Sequence, residues 1–127
     1  MTSSSPGLVL IVDDNEKNRR LARDVLRNSG FGTIEAASGG EGIALAAERA
    51  PDVILMDLRL PDMDGAEASR LLGEGEHTAR IPVVALSSLP LDDDWFIAAG
   101  FVGYIEKPLN VREFPDRVRR YCVGTGV

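Results

Sequence analysis

Val53-Ile54-Leu55-Met56-Asp57-Leu58-Arg59-Leu60-Pro61-Asp62-Met63-Asp64-Gly65 decides how this chain is read. Its first four residues form an unbroken apolar run, too short for a helix and partly β-branched. Such a run reads as a strand buried on both faces, as in a parallel sheet. Asp57 stands at the tip of that strand. The residues after it carry turn chemistry, because Pro61 fixes one backbone torsion and Gly65 permits a sharp exit. Three other places share the design: Leu8–Val12 runs into Asp13 and Asp14, Ile81–Leu86 into Ser87, and Gly103–Ile105 is soon followed by Lys107 and Pro108.

Between these runs the pattern turns helical. Asn15 can cap a helix through about Ser29, with Leu21, Val25 and Leu26 inward and Gly30 as the stop. Thr33–Ala36 reads as a short second strand, and Ser38 caps a helix running toward Arg49 ahead of Pro51. Further helices are expected over Ala66–Leu72, within Leu91–Ala99, and from the region of Asn110 to about Tyr121. Gly39-Gly40-Glu41-Gly42 lacks the lysine and spacing of a phosphate-cradling loop and reads as a flexible helix start. Strict alternation predicts an α/β fold: a doubly wound parallel sheet of five strands with right-handed crossovers. One domain is expected over residues 8–121, with a loose tail over 1–7 and a short C-terminal tail over 122–127.

Composition narrows the function classes. A hydrophobic fraction of 44% suits a globular domain, and a net charge of −6 argues against direct nucleic-acid binding. No apolar stretch approaches a membrane span, and residues 1–7 lack a signal peptide's regions, so no membrane insertion is expected. Cys122, the single cysteine, cannot form an internal disulfide, which favours a cytoplasmic setting. His77 sits in a polar, glycine-containing stretch and reads as exposed.

Polar residues at the carboxyl ends of parallel strands converge in one crevice. Asp13, Asp14, Asp57, Ser87 and Lys107 therefore face each other in this reading: three carboxylates, a hydroxyl and an ammonium. Singly, Asp13-Asp14 reads as a capping pair and Lys107 as a surface lysine. Jointly, at four strand ends, they suit Mg²⁺ (or Mn²⁺) plus a phosphoryl group, with the carboxylates as hard ligands and Lys107 as a compact cation.

Val12-Asp13-Asp14, Met56-Asp57 through Gly65, Ser87-Ser88 and Gly103-Tyr104-Ile105-Glu106-Lys107-Pro108 resemble the receiver domain of two-component response regulators. The likeness spans about Gly7 to Tyr121. It implies a flavodoxin-like receiver fold with strand order 2-1-3-4-5. It further implies Asp57 as phosphoacceptor, Asp13, Asp14, Asp57 and the Arg59 carbonyl as metal ligands, and Ser87, Ser88 and Lys107 around the phosphoryl group. A cis Lys107–Pro108 bond and an inward turn of Tyr104 on activation are also implied. The partners so implied are a histidine kinase or histidine phosphotransfer protein upstream and a downstream protein target.

Departures from the family pattern mark where this chain is individual. Ser88-Leu89-Pro90 follows the switch serine, and Pro90 restrains Leu89. Arg59 and Leu89 occupy positions that influence the lifetime of the acyl phosphate. Trp95, Phe96 and Ile97 are consecutive and span about 200° of a helix, so one core-facing stripe does not bury them all. Either Trp95 or Ile97, with Phe101 and Tyr104, forms an apolar partner patch, or these side chains make a bulky buried core edge. Asn110 through Glu113 fits a capping box, yet Pro115 implies that the last helix begins there or is kinked. The basic residues of the first and last helices read as solvated faces.

The leading reading is a stand-alone, phosphorylation-controlled switch or phosphorelay shuttle, with Met1 and the short C-terminal ending pointing to a complete protein. Rivals are a phosphorylation-independent adaptor on the same fold and a receiver fragment of a larger hybrid kinase or transcription factor. An aspartate-nucleophile phosphatase fits poorly, because Arg59 stands where such enzymes place a second acid and the chain is too short for a cap.

Overall fold

Across residues 7–126, which the computed structural model describes, strands and helices alternate without exception. The order is β1 (Leu8–Val12), α1 (Glu16–Asn28), β2 (Gly32–Ala36), α2 (Gly39–Arg49), β3 (Val53–Asp57), α3 (Gly65–Glu74), β4 (Val83–Ser87), α4 (Asp93–Ala98), β5 (Gly103–Glu106) and α5 (Phe114–Gly126). All pairings are parallel, in the order β2-β1-β3-β4-β5. The expected α/β fold and strand order are therefore observed. Most of the tail expected over residues 1–7 lies outside the described residues.

Strand alternation divides the core in two. Val9 and Ile11 join Leu26, Leu55, Phe114 and Val118 on the side of α1 and α5. Leu10 and Val12 join Ile54, Met56, Leu72 and Phe96 on the side of α2, α3 and α4. Both sheet faces are thus covered, which is why β1 and β3 read as continuous apolar runs. No helix among the described residues is long and apolar enough to cross a membrane.

Three local expectations are corrected. Leu21, expected inward, is 41% exposed; Ala22 and Leu26 are buried instead, being spaced by four and so on one helix face. The Gly39-Gly40-Glu41-Gly42 start of α2 is closely packed: a Cβ on Gly39 would overlap Met63, and one on Gly42 would lie 2.8 Å from Val12 Cγ2. At the other end, Asn110 takes the N–H groups of Arg112 and Glu113 on its side chain, and α5 begins at Phe114. Pro115 falls in the first turn, where its missing N–H costs no bond, and the helix continues past Tyr121 to Gly126.

Ser69 of α3 is buried, and its hydroxyl finds no hydrogen-bond partner among the described residues. Leaving a buried hydroxyl unpaired costs about 1–3 kcal/mol. Ser69→Ala is therefore expected to leave the melting temperature unchanged or to raise it, in thermal denaturation beside the wild type; a clear drop would mean that the hydroxyl has a partner in solution.

Candidate functional site

Parallel strands present their carboxyl ends on one edge of the sheet, and the expected polar residues gather there. Asp13 and Asp14 follow β1, Asp57 ends β3, Ser87 ends β4, and Lys107 follows β5. Ligand oxygens of Asp13, Asp14 and Asp57 all lie within 4.8 Å of one another, Asp13 buried and Asp14 exposed. Lys107 is set between two of them, its Nζ 3.2 Å from Asp13 Oδ2 and 3.3 Å from Asp57 Oδ2. Its backbone N–H also donates to the Ser87 carbonyl at 2.7 Å, so β4 fixes where this lysine starts. The Lys107–Pro108 peptide is cis.

Charge is unevenly balanced in this cluster. The second Asp13 oxygen accepts the Asn15 N–H at 2.9 Å, while Asp57 Oδ1 has only a long bond from the Arg59 N–H at 3.4 Å. Burial raises the Asp57 carboxyl above its ordinary value; Lys107 opposes the rise and Asp13 adds to it. Three carboxylates against one ammonium leave an excess of hard, negatively charged oxygen, a donor set that fits Mg²⁺ or a similar ion. Beside them opens a cleft of about 580 Å³ lined by Asp14, Asp57, Arg59, Ser87, Leu89 and Lys107.

Ser87 lies on the rim of this cleft, but its hydroxyl is engaged elsewhere. It donates to the Leu89 carbonyl at 2.6 Å and accepts the Leu89 N–H at 3.1 Å. Ser88 next to it is exposed. Tyr104 is half-buried, its ring edge-on to Phe96 at 5.4 Å between centroids, and its carbonyl accepts from Arg117 at 2.9 Å. Of the expected apolar patch, Trp95 (44% exposed) and Ile97 (63%) reach solvent. Phe101 does not: it is 3% exposed and stacked beneath Trp95 at 6.3 Å, so it supports the patch from within.

Two acidic residues of the β3–α3 loop were missed as structural anchors. Asp64 caps α3 by accepting the Glu67 N–H at 2.8 Å, and Asp64-x-x-Glu67 is the spacing of a capping box. Asp62 places its two oxygens 2.8 Å from the N–H groups of Gly39 and Gly40. Its carboxyl is held below the usual range by those two bonds. No local pattern announces a contact that spans 23 residues of sequence.

Comparison with known proteins agrees with this geometry. The family model of the response regulator receiver domain matches residues 9–119. The polar-differentiation response regulator DivK of Brucella ovis is 39% identical over 115 residues, 89% of this chain and 94% of that protein. DivK of Brucella anthropi is 37% identical over 118 residues, covering 91% and 96%. Among solved structures, the receiver domain of the sensor histidine kinase PA1611 of Pseudomonas aeruginosa, with magnesium in its active-site cleft, superposes with TM-score 0.83 at 31% identity, covering 92% of this chain and 98% of that one. The chemotaxis regulator CheY4 of Vibrio cholerae gives 0.83 at 27% identity, covering 90% and 97%. The chain thus belongs to the response regulator receiver domain family and is a phosphoacceptor signalling domain.

Proposed function

We propose that Asp57 takes a phosphoryl group from a histidine kinase or histidine phosphotransfer protein, and that the modification changes the surface offered to a downstream protein. The observation that carries this reading is Lys107 Nζ lying 3.2 and 3.3 Å from Asp13 and Asp57, beside the three gathered carboxylates. In the transfer, an Asp57 oxygen attacks phosphorus in line. The new P–O bond forms as the P–N bond of the donor phosphohistidine breaks, and the imidazole nitrogen keeps the electron pair. Asp13, Asp14 and Asp57, with the Arg59 carbonyl, would hold Mg²⁺ (or Mn²⁺), which supplies positive charge against the phosphoryl oxygens.

The chain's own groups do the rest. Lys107 shifts its donors from Asp57 to a phosphoryl oxygen, and exposed, small Ser88 leaves the approach open. Phosphorylation adds roughly −1.5 to −2 charges at Asp57. Ser87 then leaves the Leu89 carbonyl for the new oxygens, drawing its loop inward and making room for Tyr104 to turn. Trp95 and Ile97 would present the altered face to the target, in the cytoplasm.

The test is a phosphate-affinity gel of wild type and Asp57→Asn after incubation with acetyl phosphate, with and without Mg²⁺. A retarded band that requires both Asp57 and Mg²⁺ is expected. A band that persists in Asp57→Asn overturns the assignment of the acceptor. Failure of both acetyl phosphate and a cognate kinase to label the wild type would favour a phosphorylation-independent adaptor.

A further inference from the structure

Asp62 lies outside the carboxylate cluster, yet it ties the loop that follows Asp57 to helix α2, which packs on β1 just before Asp13. The loop from Asp57 to Gly65 is closed at its base, where the Gly65 N–H donates to the Leu58 carbonyl at 2.8 Å and Arg59 bridges Asp64 in antiparallel fashion. Its tip is held by other means. Both Asp62 oxygens accept backbone N–H groups from the first two residues of α2, and Met63 packs where a Gly39 side chain would otherwise stand. Helix α2 is in turn seated on β1 through Gly42, which abuts Val12, the residue just before Asp13. A continuous mechanical path therefore runs from the Arg59 loop through Asp62, Gly39, Gly40 and Gly42 to Val12 and Asp13.

Asp62 adds to the local cap of α2 from a distant segment. The local cap of α2 is Ser38, whose hydroxyl accepts the Glu41 N–H at 3.2 Å, while the Glu41 carboxylate accepts the N–H of Ala37, one residue before the cap, at 2.8 Å. Asp62 takes the two N–H groups that Ser38 leaves over, and it does so from another segment.

We propose that Asp62 is a positioning residue for the metal end of the site: its paired bonds to α2 set the loop carrying the Arg59 carbonyl in register with Asp13 and Asp14. The inference rests on the reading of Asp13, Asp14 and Asp57 as a metal site. It also assigns a purpose to Gly39-Gly40, whose lack of side chains lets the loop tip approach. By linkage, whatever strengthens the clamp strengthens ion binding, and the converse holds by the same factor.

The experiment is a Mg²⁺ titration of the full chain followed by backbone amide NMR, well below the melting temperature, for wild type, Asp62→Ala, Asp62→Asn and Gly40→Ala. Asp62→Ala is expected to raise the half-saturating Mg²⁺ concentration about fivefold, and Asp62→Asn, which keeps one oxygen acceptor, by less. Gly40→Ala weakens binding from the opposite side, because its Cβ would press to 3.2 Å from Asp62 Oδ2. In the wild type, saturating Mg²⁺ slows hydrogen exchange at the Gly39 and Gly40 N–H groups by a similar factor; in Asp62→Ala it does not. Half-saturation within about twofold of wild type in Asp62→Ala, with exchange at the start of α2 indifferent to Mg²⁺, overturns the proposal and leaves Asp62 as a tether of local stability. A wild type whose Asp13, Asp14 and Asp57 amides ignore Mg²⁺ overturns the metal reading itself, and this proposal with it.

Discussion

Lys107→Ala is expected to cut the rate of Asp57 phosphorylation by acetyl phosphate about a hundredfold or more, the usual scale for removing one preorganised charge donor from a transferring group. The substitution also changes the protein at rest. Lys107 is the cation between Asp13 and Asp57, and neither carboxylate has another ion-pair partner among the described residues. Breaking a fully buried pair costs about 3–5 kcal/mol; with part of this cluster open to water, a loss of about 2 kcal/mol is expected in chelator. Added Mg²⁺ should then raise the melting temperature of the variant more than that of the wild type, since the ion replaces the missing charge. The pH dependence follows in sign. Burial and Asp13 already hold the Asp57 carboxyl above its ordinary value, and Lys107 opposes them. Without the lysine it rises further, so the folded state binds a proton that the unfolded chain has lost. Between the ordinary carboxylate value and the raised one, metal-free stability must fall as pH rises, more steeply in the variant. Denaturant titrations in chelator from acid to neutral pH measure that slope; equal slopes in the two proteins would contradict the assigned role of Lys107.

The second large effect is steric. A Cβ on Gly65 would lie 2.5 Å from the Asp57 carbonyl oxygen and 2.9 Å from the Leu58 Cα, and both obstacles are backbone. Neither can swing aside without moving the acceptor's own peptide. Gly65→Ala is expected to cost about 3 kcal/mol, the upper end for overpacking, lowering the melting temperature by roughly 10 °C and slowing phosphorylation. Gly73→Ala is the informative control. The added methyl there meets nothing within 4 Å, and alanine suits a helix better than glycine, so no loss of stability is expected. If the two alanine variants melt alike, backbone crowding at the acceptor is not what Gly65 relieves.

How far the sequence could be read depended on the range of each interaction. Apolar runs ending in Asp13, Asp57 and Ser87 are local signals, and with the alternation of elements they were enough for the parallel sheet and the gathering of side chains at one edge; the strand order came from the family resemblance. Lys107 was legible for the same reason, one residue beyond β5. What escaped was set by packing between distant segments. Phe101 looks like its neighbours Trp95 and Ile97 in composition, but it lies in the core with Trp95 stacked over it. Leu21 is as apolar as Leu26, yet the turn of α1 directs it away from the sheet. The glycines of α2 looked like slack because the residues that fill the space beside them, Met63 and Val12, come from other elements. The Ser87 hydroxyl bond to Leu89 is the opposite case: it is wholly local, but choosing its rotamer required coordinates.

That bond bears on the energy scale of the proposed switch. Ser87 and Leu89 exchange two part-buried hydrogen bonds at the mouth of the cleft. Each such bond is worth about 0.5–1.5 kcal/mol net, whereas carrying a two-state population from 1:99 to 99:1 takes about 5.5 kcal/mol. Holding the resting form at 99:1 takes half of that, about 2.7 kcal/mol, which is within reach of the two bonds of the serine latch together. The edge-on contact of half-buried Tyr104 with Phe96 adds about 0.5–1.5 kcal/mol, a contribution of the same size. In the proposed switch the serine latch and the aromatic pair would therefore set the threshold on comparable terms, neither of them alone.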